Sequence, residues 1–128
     1  MSSAVMTEKR TVADAYVRSL AAKDFDALAE CFAPHVRFRA LTPNHVWAHM
    51  GPVSAIETLR DWFGDQVDFA LQSSWVEEIA DVVRISYRFH ARGETGLEQV
   101  EQQAHCRMSG GQIADIAIIC TGYWPGAS

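Results

Sequence analysis

Apolar residues recur at helical spacing from Val12 onward. Val12, Tyr16 and Leu20 lie four apart, with Ala13 and Val17 beside them. Such a stripe predicts a helix that buries one face, with Thr7 as its N-cap. Lys23 and Asp24 interrupt the stripe. Asp24 can cap a second, short helix whose apolar face is Phe25, Leu28, Cys31 and Phe32, and Pro34 is expected to stop it. The period then changes to two. Val36, Phe38 and Ala40 alternate with Arg37 and Arg39, as in a strand with one buried face. Thr42-Pro43-Asn44 reads as a turn, His45 to Met50 as a second strand, and Gly51-Pro52 as the opening of a third helix. Ile56, Leu59 and Phe63 form the buried stripe of that helix, and Gly64 ends it.

The remainder predicts long strands. Val67 to Ile79 would place Phe69, Leu71, Ser73 and Trp75 on one face. After a turn at Asp81, Val83, Ile85, Tyr87, Phe89 and Ala91 alternate with polar residues, the cleanest period-two run in the chain. A loop at Gly93-Glu94-Thr95-Gly96 leads to a strand from Leu97 to Met108. A hairpin turn at Ser109-Gly110-Gly111-Gln112 leads to the last strand, Ile113 to Thr121. Helices first and consecutive strands after them imply an α+β fold with a meander sheet covered by helices on one face. A sheet this long must curl as it twists. The last strand is apolar on both faces: Ala114, Ile116, Ile118 and Cys120 on one, Ile113, Ala117 and Ile119 on the other. Both faces are therefore expected to be covered. The second is read as a homodimer interface formed by Ile113, Ala117 and Ile119, set against the simpler reading of a C-terminal tail folding over that face.

Composition narrows the function classes. The 128 residues suit one domain, 1–128, with an ordered core of about 8–124. A net charge of −5, without a basic stripe, argues against nucleic-acid binding. No run approaches the ~18 apolar residues of a membrane span, and no export or lipidation signal is visible. The three cysteines, Cys31, Cys106 and Cys120, have neither disulfide nor zinc spacing, which fits reduced thiols and a cytoplasmic location. The 13 aromatic residues (4 Trp, 3 Tyr and 6 Phe) exceed what packing alone needs, so some are expected to line a cavity.

Ala15-Tyr16-Val17-Arg18-Ser19-Leu20, Asp24-Phe25-Asp26-Ala27-Leu28 and Cys31-Phe32-Ala33-Pro34-His35-Val36 together resemble the opening of the nuclear transport factor 2-like superfamily. The resemblance is nearest to its SnoaL-like and ketosteroid-isomerase-like members. Gly51 with Ala55-Ile56 is similar to that family's third helix, and Gly110 to Tyr123 to its last hairpin. The resemblance spans about residues 8 to 124. It implies a cone: a curved, antiparallel or mixed sheet wrapped around three helices from the N-terminal half, commonly dimeric. The superfamily includes isomerases, cyclases, dehydratases, epoxide hydrolases and non-catalytic proteins, so the fold leaves the chemistry open. In the isomerases a helix tyrosine acts with two aspartates. The tyrosine matches Tyr16, but the aspartate positions fall on Ala40 and Ala104, whose methyl groups neither take nor donate a proton. Steroid isomerisation by that mechanism is not expected.

Tyr16 is the candidate catalytic acid or hydrogen-bond donor, set against the simpler reading of an aromatic in the helix stripe. His49 is the candidate base, set against an exposed strand-end histidine. His45 and His49, four apart on a strand, are about 13 Å from each other and cannot share a metal ion. Gln102 alternates with Val100, Ala104 and Cys106 on the inner face. A buried amide without a partner costs ~1–3 kcal/mol, so it is expected to bond another buried group or a ligand. Phe38, Trp47, Trp62, Trp75, Tyr87 and Cys120 are the remaining candidate ligand contacts, with Trp47 and Trp62 at the mouth. No metal site, GxSxG elbow, P-loop or GxGxxG turn is present, and no cofactor is expected. The sequence thus predicts a protein that binds a small, mostly apolar metabolite, with cofactor-free isomerase, cyclase or dehydratase chemistry as its possible activity. The alternative is a non-catalytic binding or dimerisation module.

Overall fold

The computed structural model describes residues 2–94 and 96–125, with side chains from residue 8 onward. The helices are α1 (Ser2–Ala21), α2 (Phe25–Glu30) and α3 (Pro52–Phe63). The strands are β1 (Phe32–Thr42), β2 (His45–Met50), β3 (Val67–Ile79), β4 (Val82–Gly93), β5 (Gly96–Ser109), β6 (Gln112–Cys120) and β7 (Trp124–Pro125). α1 begins at Ser2, so Thr7 lies inside the helix and is not its N-cap as expected, and Thr95 lies outside the described residues.

The strands form one curved, mixed sheet in the order β2-β1-β6-β5-β4-β3, with the helices against one face. β3 to β6 form the expected antiparallel meander. The β1–β2 hairpin joins it through a parallel pairing of β1 with β6. The short β7, which the sequence did not suggest, pairs with β5.

The core follows the two predicted periodicities. Ala13, Tyr16, Val17 and Leu20 of α1, with Ile56, Leu59 and Phe63 of α3, are buried against Phe38 of β1 and against Val83, Ile85, Tyr87 and Phe89 of β4. Each such aliphatic or aromatic side chain contributes about 1.5–3 kcal/mol on leaving water. Lys23, in the left-handed region at φ 55°, ends α1, and its ammonium donates to the Gly64 carbonyl at the end of α3. The Asp24 carboxylate accepts from the Ala27 amide at 3.1 Å, the expected N-cap of α2.

The structure displaces three further expectations. α2 ends at Glu30, before Pro34. The Cys31 carbonyl accepts from the Ile113 amide and Phe32 already pairs with Ile113, so the chain is extended by then. Pro34 falls in the irregular stretch of β1 between Phe32 and Arg37, where its missing N–H breaks no ladder bond. In β3, Gln72 is an extra residue between the pairs Leu71–Phe89 and Ser73–Arg88. This bulge reverses the alternation. Ser74 and Val76 turn to the Tyr87 and Ile85 side, while Trp75 turns outward opposite Ser86 and is 65% exposed. In β6, Ala114 is extra between the pairs with Arg107 and Met108. Ile113 and Ile116 therefore both point inward and are buried, so Ile113 is a core residue and not part of an outer face.

Candidate functional site

Where α3 ends above β5 and β6, the helices do not fill the concave side of the sheet. A cavity of about 190 Å³ remains there. The last turn of α3 supplies Trp62 and Phe63, β5 supplies Val100 and Gln102, and the end of β6 supplies Cys120. Thr42, Gly122 and Tyr123 complete the wall. These residues carry no charged side chain. Most of their polar atoms are already engaged. The Tyr123 hydroxyl donates to the Trp62 carbonyl at 2.7 Å, the Thr42 hydroxyl accepts from Trp47 Nε1 at 2.9 Å, and Cys120 Sγ accepts from the Gly122 amide at 3.4 Å. Gln102 differs. It is 1% exposed, and its Nε2 is buried with no hydrogen-bond partner among the described residues.

Behind the cavity runs a buried polar chain. The Tyr16 and Tyr87 hydroxyls are 2.7 Å apart, and Tyr87 donates to Gln102 Oε1 at 2.6 Å. The phenol rings meet edge to face at 5.7 Å. Burial pushes the pKa of both phenols well above the usual tyrosine range, because a phenolate there would be stripped of water. The hydrogen bond to Tyr87 opposes this only partly at Tyr16. Neither hydroxyl lines the cavity; Tyr16 communicates with it only through Tyr87 and Gln102.

An aromatic cluster stands beside the cavity. Trp47 and Trp62 meet nearly perpendicular at 5.7 Å, and Phe38 lies 6.1 Å from Trp62. His49, half-buried opposite Phe38 in the β1–β2 pairing, faces that ring at 6.1 Å. Its Nε2 is buried without a partner, but the residue does not border the cavity.

Of the candidate contacts, Trp62, Gln102 and Cys120 are thus brought together at the cavity. Phe38, Trp47, His49, Tyr16 and Tyr87 form the layer around it, and Trp75 is separated from it on the outer face. Thr42, Phe63, Val100 and Tyr123 were not foreseen as lining residues. Val100 shares Gln102's parity and was open to inference, whereas nothing local in the sequence announces that Tyr123 folds back to Trp62. Among the described residues, no three His, Cys, Asp or Glu side chains are grouped to hold a metal ion. Among the described residues, no helix is long and apolar enough to cross a membrane.

The cone architecture has close counterparts among solved structures. A candidate ketosteroid isomerase from Kribbella flavida superposes with a TM-score of 0.71 at 13% identity, over 95% of this chain and 84% of that one. A candidate polyketide cyclase from Xanthomonas campestris gives 0.72 at 17% identity, over 88% and 90%. A second candidate polyketide cyclase, from Sinorhizobium meliloti, gives 0.62 at 19%, over 84% and 93%. At such identities the likeness concerns the fold alone. No curated protein matches by sequence. The profile of the SnoaL-like domain matches residues 13–116. The chain belongs to the SnoaL-like domain family, within the nuclear transport factor 2-like fold.

Proposed function

We propose that this protein holds a small, mostly apolar molecule in the cavity between α3 and β5–β6. One observation carries the reading: a wholly buried amide nitrogen, Gln102 Nε2, without a protein partner beside an apolar cavity of about 190 Å³. An orphaned buried donor costs about 1–3 kcal/mol, which a bound acceptor would recover. Engineered apolar cavities of ~150 Å³ accept benzene, so a single-ring molecule fits in size. The fold counterparts named as cyclases and isomerases agree with a small-molecule role. Thermal unfolding with acetophenone tests the reading. At one hundred times Kd the fold should gain about 2.7 kcal/mol, several degrees in Tm. Cys120→Phe, which fills the cavity, should abolish the shift. A flat response of the wild type across single-ring ketones, phenols and hydrocarbons would end the proposal.

A second reading adds proton abstraction from the bound molecule, with His49 as base and Tyr16 as a hydrogen-bond donor that acts through Tyr87 and the Gln102 amide on the oxygen where charge develops. The unpartnered His49 Nε2 favours it. Turnover that survives His49→Gln and Tyr16→Phe unchanged would exclude it. With Ala40 and Ala104 at the positions that carry carboxylates in the isomerases, binding without turnover is the primary reading.

The outer face is proposed as the contact between two copies of the chain. Val46, Leu41 and Ile119 stand in one row across β2, β1 and β6, exposed by 73%, 51% and 55%, with Ala117 beside them.

A further inference from the structure

We infer that Tyr87 is a positioning residue: it holds the Gln102 amide by its oxygen, leaves the amide nitrogen unpaired in the wall of the cavity, and so selects neutral ligands that carry a hydrogen-bond acceptor such as a ketone oxygen. The inference rests on the cavity being a ligand site. A glutamine amide offers a donor on one side and an acceptor on the other, and by itself it would serve either kind of ligand. Here the choice is made behind it. The Tyr87 hydroxyl has one proton, and it goes to Gln102 Oε1 at 2.6 Å. The contact of 2.7 Å between the two phenol oxygens must then use the proton of Tyr16. Both protons therefore point the same way along the chain Tyr16–Tyr87–Gln102, which terminates on the amide oxygen. The amide nitrogen is left facing away, buried and unpaired. Burial keeps both phenols protonated, so the direction of the chain does not reverse with pH in the neutral range. Donor bonds in series also polarise one another, which strengthens the terminal N–H groups.

The surroundings exclude other ligand classes. A molecule that only donates would meet N–H groups. A carboxylate or ammonium ion would be desolvated in a wall with no charged side chain.

The experiment compares three probes of nearly equal shape by calorimetric titration: acetophenone, α-methylstyrene (in which CH₂ replaces the ketone oxygen) and benzoate. The wild type should bind acetophenone about tenfold more tightly than α-methylstyrene, the worth of one hydrogen bond, and benzoate more weakly than either. In Tyr87→Phe the amide is free to turn. The acetophenone preference should fall to about threefold or less while the α-methylstyrene affinity stays within twofold, a ratio that general loosening of the fold does not mimic. If Tyr87→Phe does not fold, Gln102→Leu serves, with an expected preference near one. Equal wild-type affinity for ketone and alkene, or benzoate binding as tightly as ketone, would overturn the inference while leaving the cavity reading intact. A full preference retained in Tyr87→Phe would overturn it as well. Failure of all three probes to bind would instead remove the cavity reading itself.

Discussion

The Tyr16 and Tyr87 hydroxyls sit where a negative charge has no water to stabilise it. Their pKa values in the folded state therefore lie above the ordinary 10.0 of tyrosine. In the unfolded chain both phenols ionise near that value. Below it the two states bind the same protons, and stability does not change on their account. Above it the unfolded state loses protons that the folded state keeps, so stability falls as pH rises. The urea midpoint should begin to fall near pH 9, where the buried Cys31 and Cys106 thiols ionise first in the unfolded chain, and decline more steeply above about pH 10 as the phenols follow. The Tyr16→Phe/Tyr87→Phe double variant should decline less steeply. Some slope should remain, because burial also raises Tyr123. A double variant with the same alkaline slope as the wild type would show that the two phenols reach water in the folded protein. At neutral pH, Tyr87→Phe alone should cost about 1–3 kcal/mol, since the Tyr16 hydroxyl and the Gln102 carbonyl both lose their partner.

At the level of elements, capping is the feature most directly read from sequence. Asp24→Ala should lower stability by about 1 kcal/mol, measured by denaturant titration, because only the Asp24 carboxylate meets the Ala27 amide at the start of α2. The same element shows where reading stops. A proline sets a bound beyond which a helix cannot run, but α2 had already ended at Glu30, where the Cys31 carbonyl accepts from the Ile113 amide of β6, a contact 82 residues away in sequence (113 − 31). β4 was fully legible because its alternation has no interruption. β3 has the same alternation in sequence, and Gln72 breaks it only in the sheet. A bulge is a relation between two strands, so one strand's pattern does not contain it, and Trp75 was assigned to the wrong face. Ala114 misled the reading of Ile113 in the same way. Gln102 lay on an unbroken stretch of β5, and its inward direction was correct. Deleting Gln72 should restore simple alternation without changing the register, because Ser73 would follow Leu71 directly and Trp75 would stay outward opposite Ser86. The expected result is a urea midpoint within about 1 kcal/mol of the wild type; a loss of about 1–3 kcal/mol or more, as overpacking by Trp75 would bring, would show that Gln72 does not act as a simple bulge.

At the scale of the whole molecule, the cone buries one side of the sheet and leaves the other to water. Much of that outer side is closed by cross-strand ion pairs: Arg39 with Asp115 at 3.1 Å, Arg88 with Glu101 at 2.6 Å, and Arg84 with Glu77. Half-exposed pairs of this kind contribute little to stability, but they satisfy the charges of a face that could meet another protein surface. The row through Val46, Leu41 and Ile119 lacks such polar cover, and it crosses the parallel β1–β6 joint. An exposed apolar row rimmed by paired charges is the pattern expected of a contact between copies. Light scattering at micromolar concentration should then give twice the mass of the 14.2 kDa chain. Leu41→Lys/Ile119→Lys should give the single-chain mass, because four ammonium groups would face one another across a two-fold contact. Both side chains are outside the core, so the circular dichroism of the double variant should match that of the wild type. A wild type that is monomeric at hundreds of micromolar, or a double variant still dimeric, would move the contact away from this row.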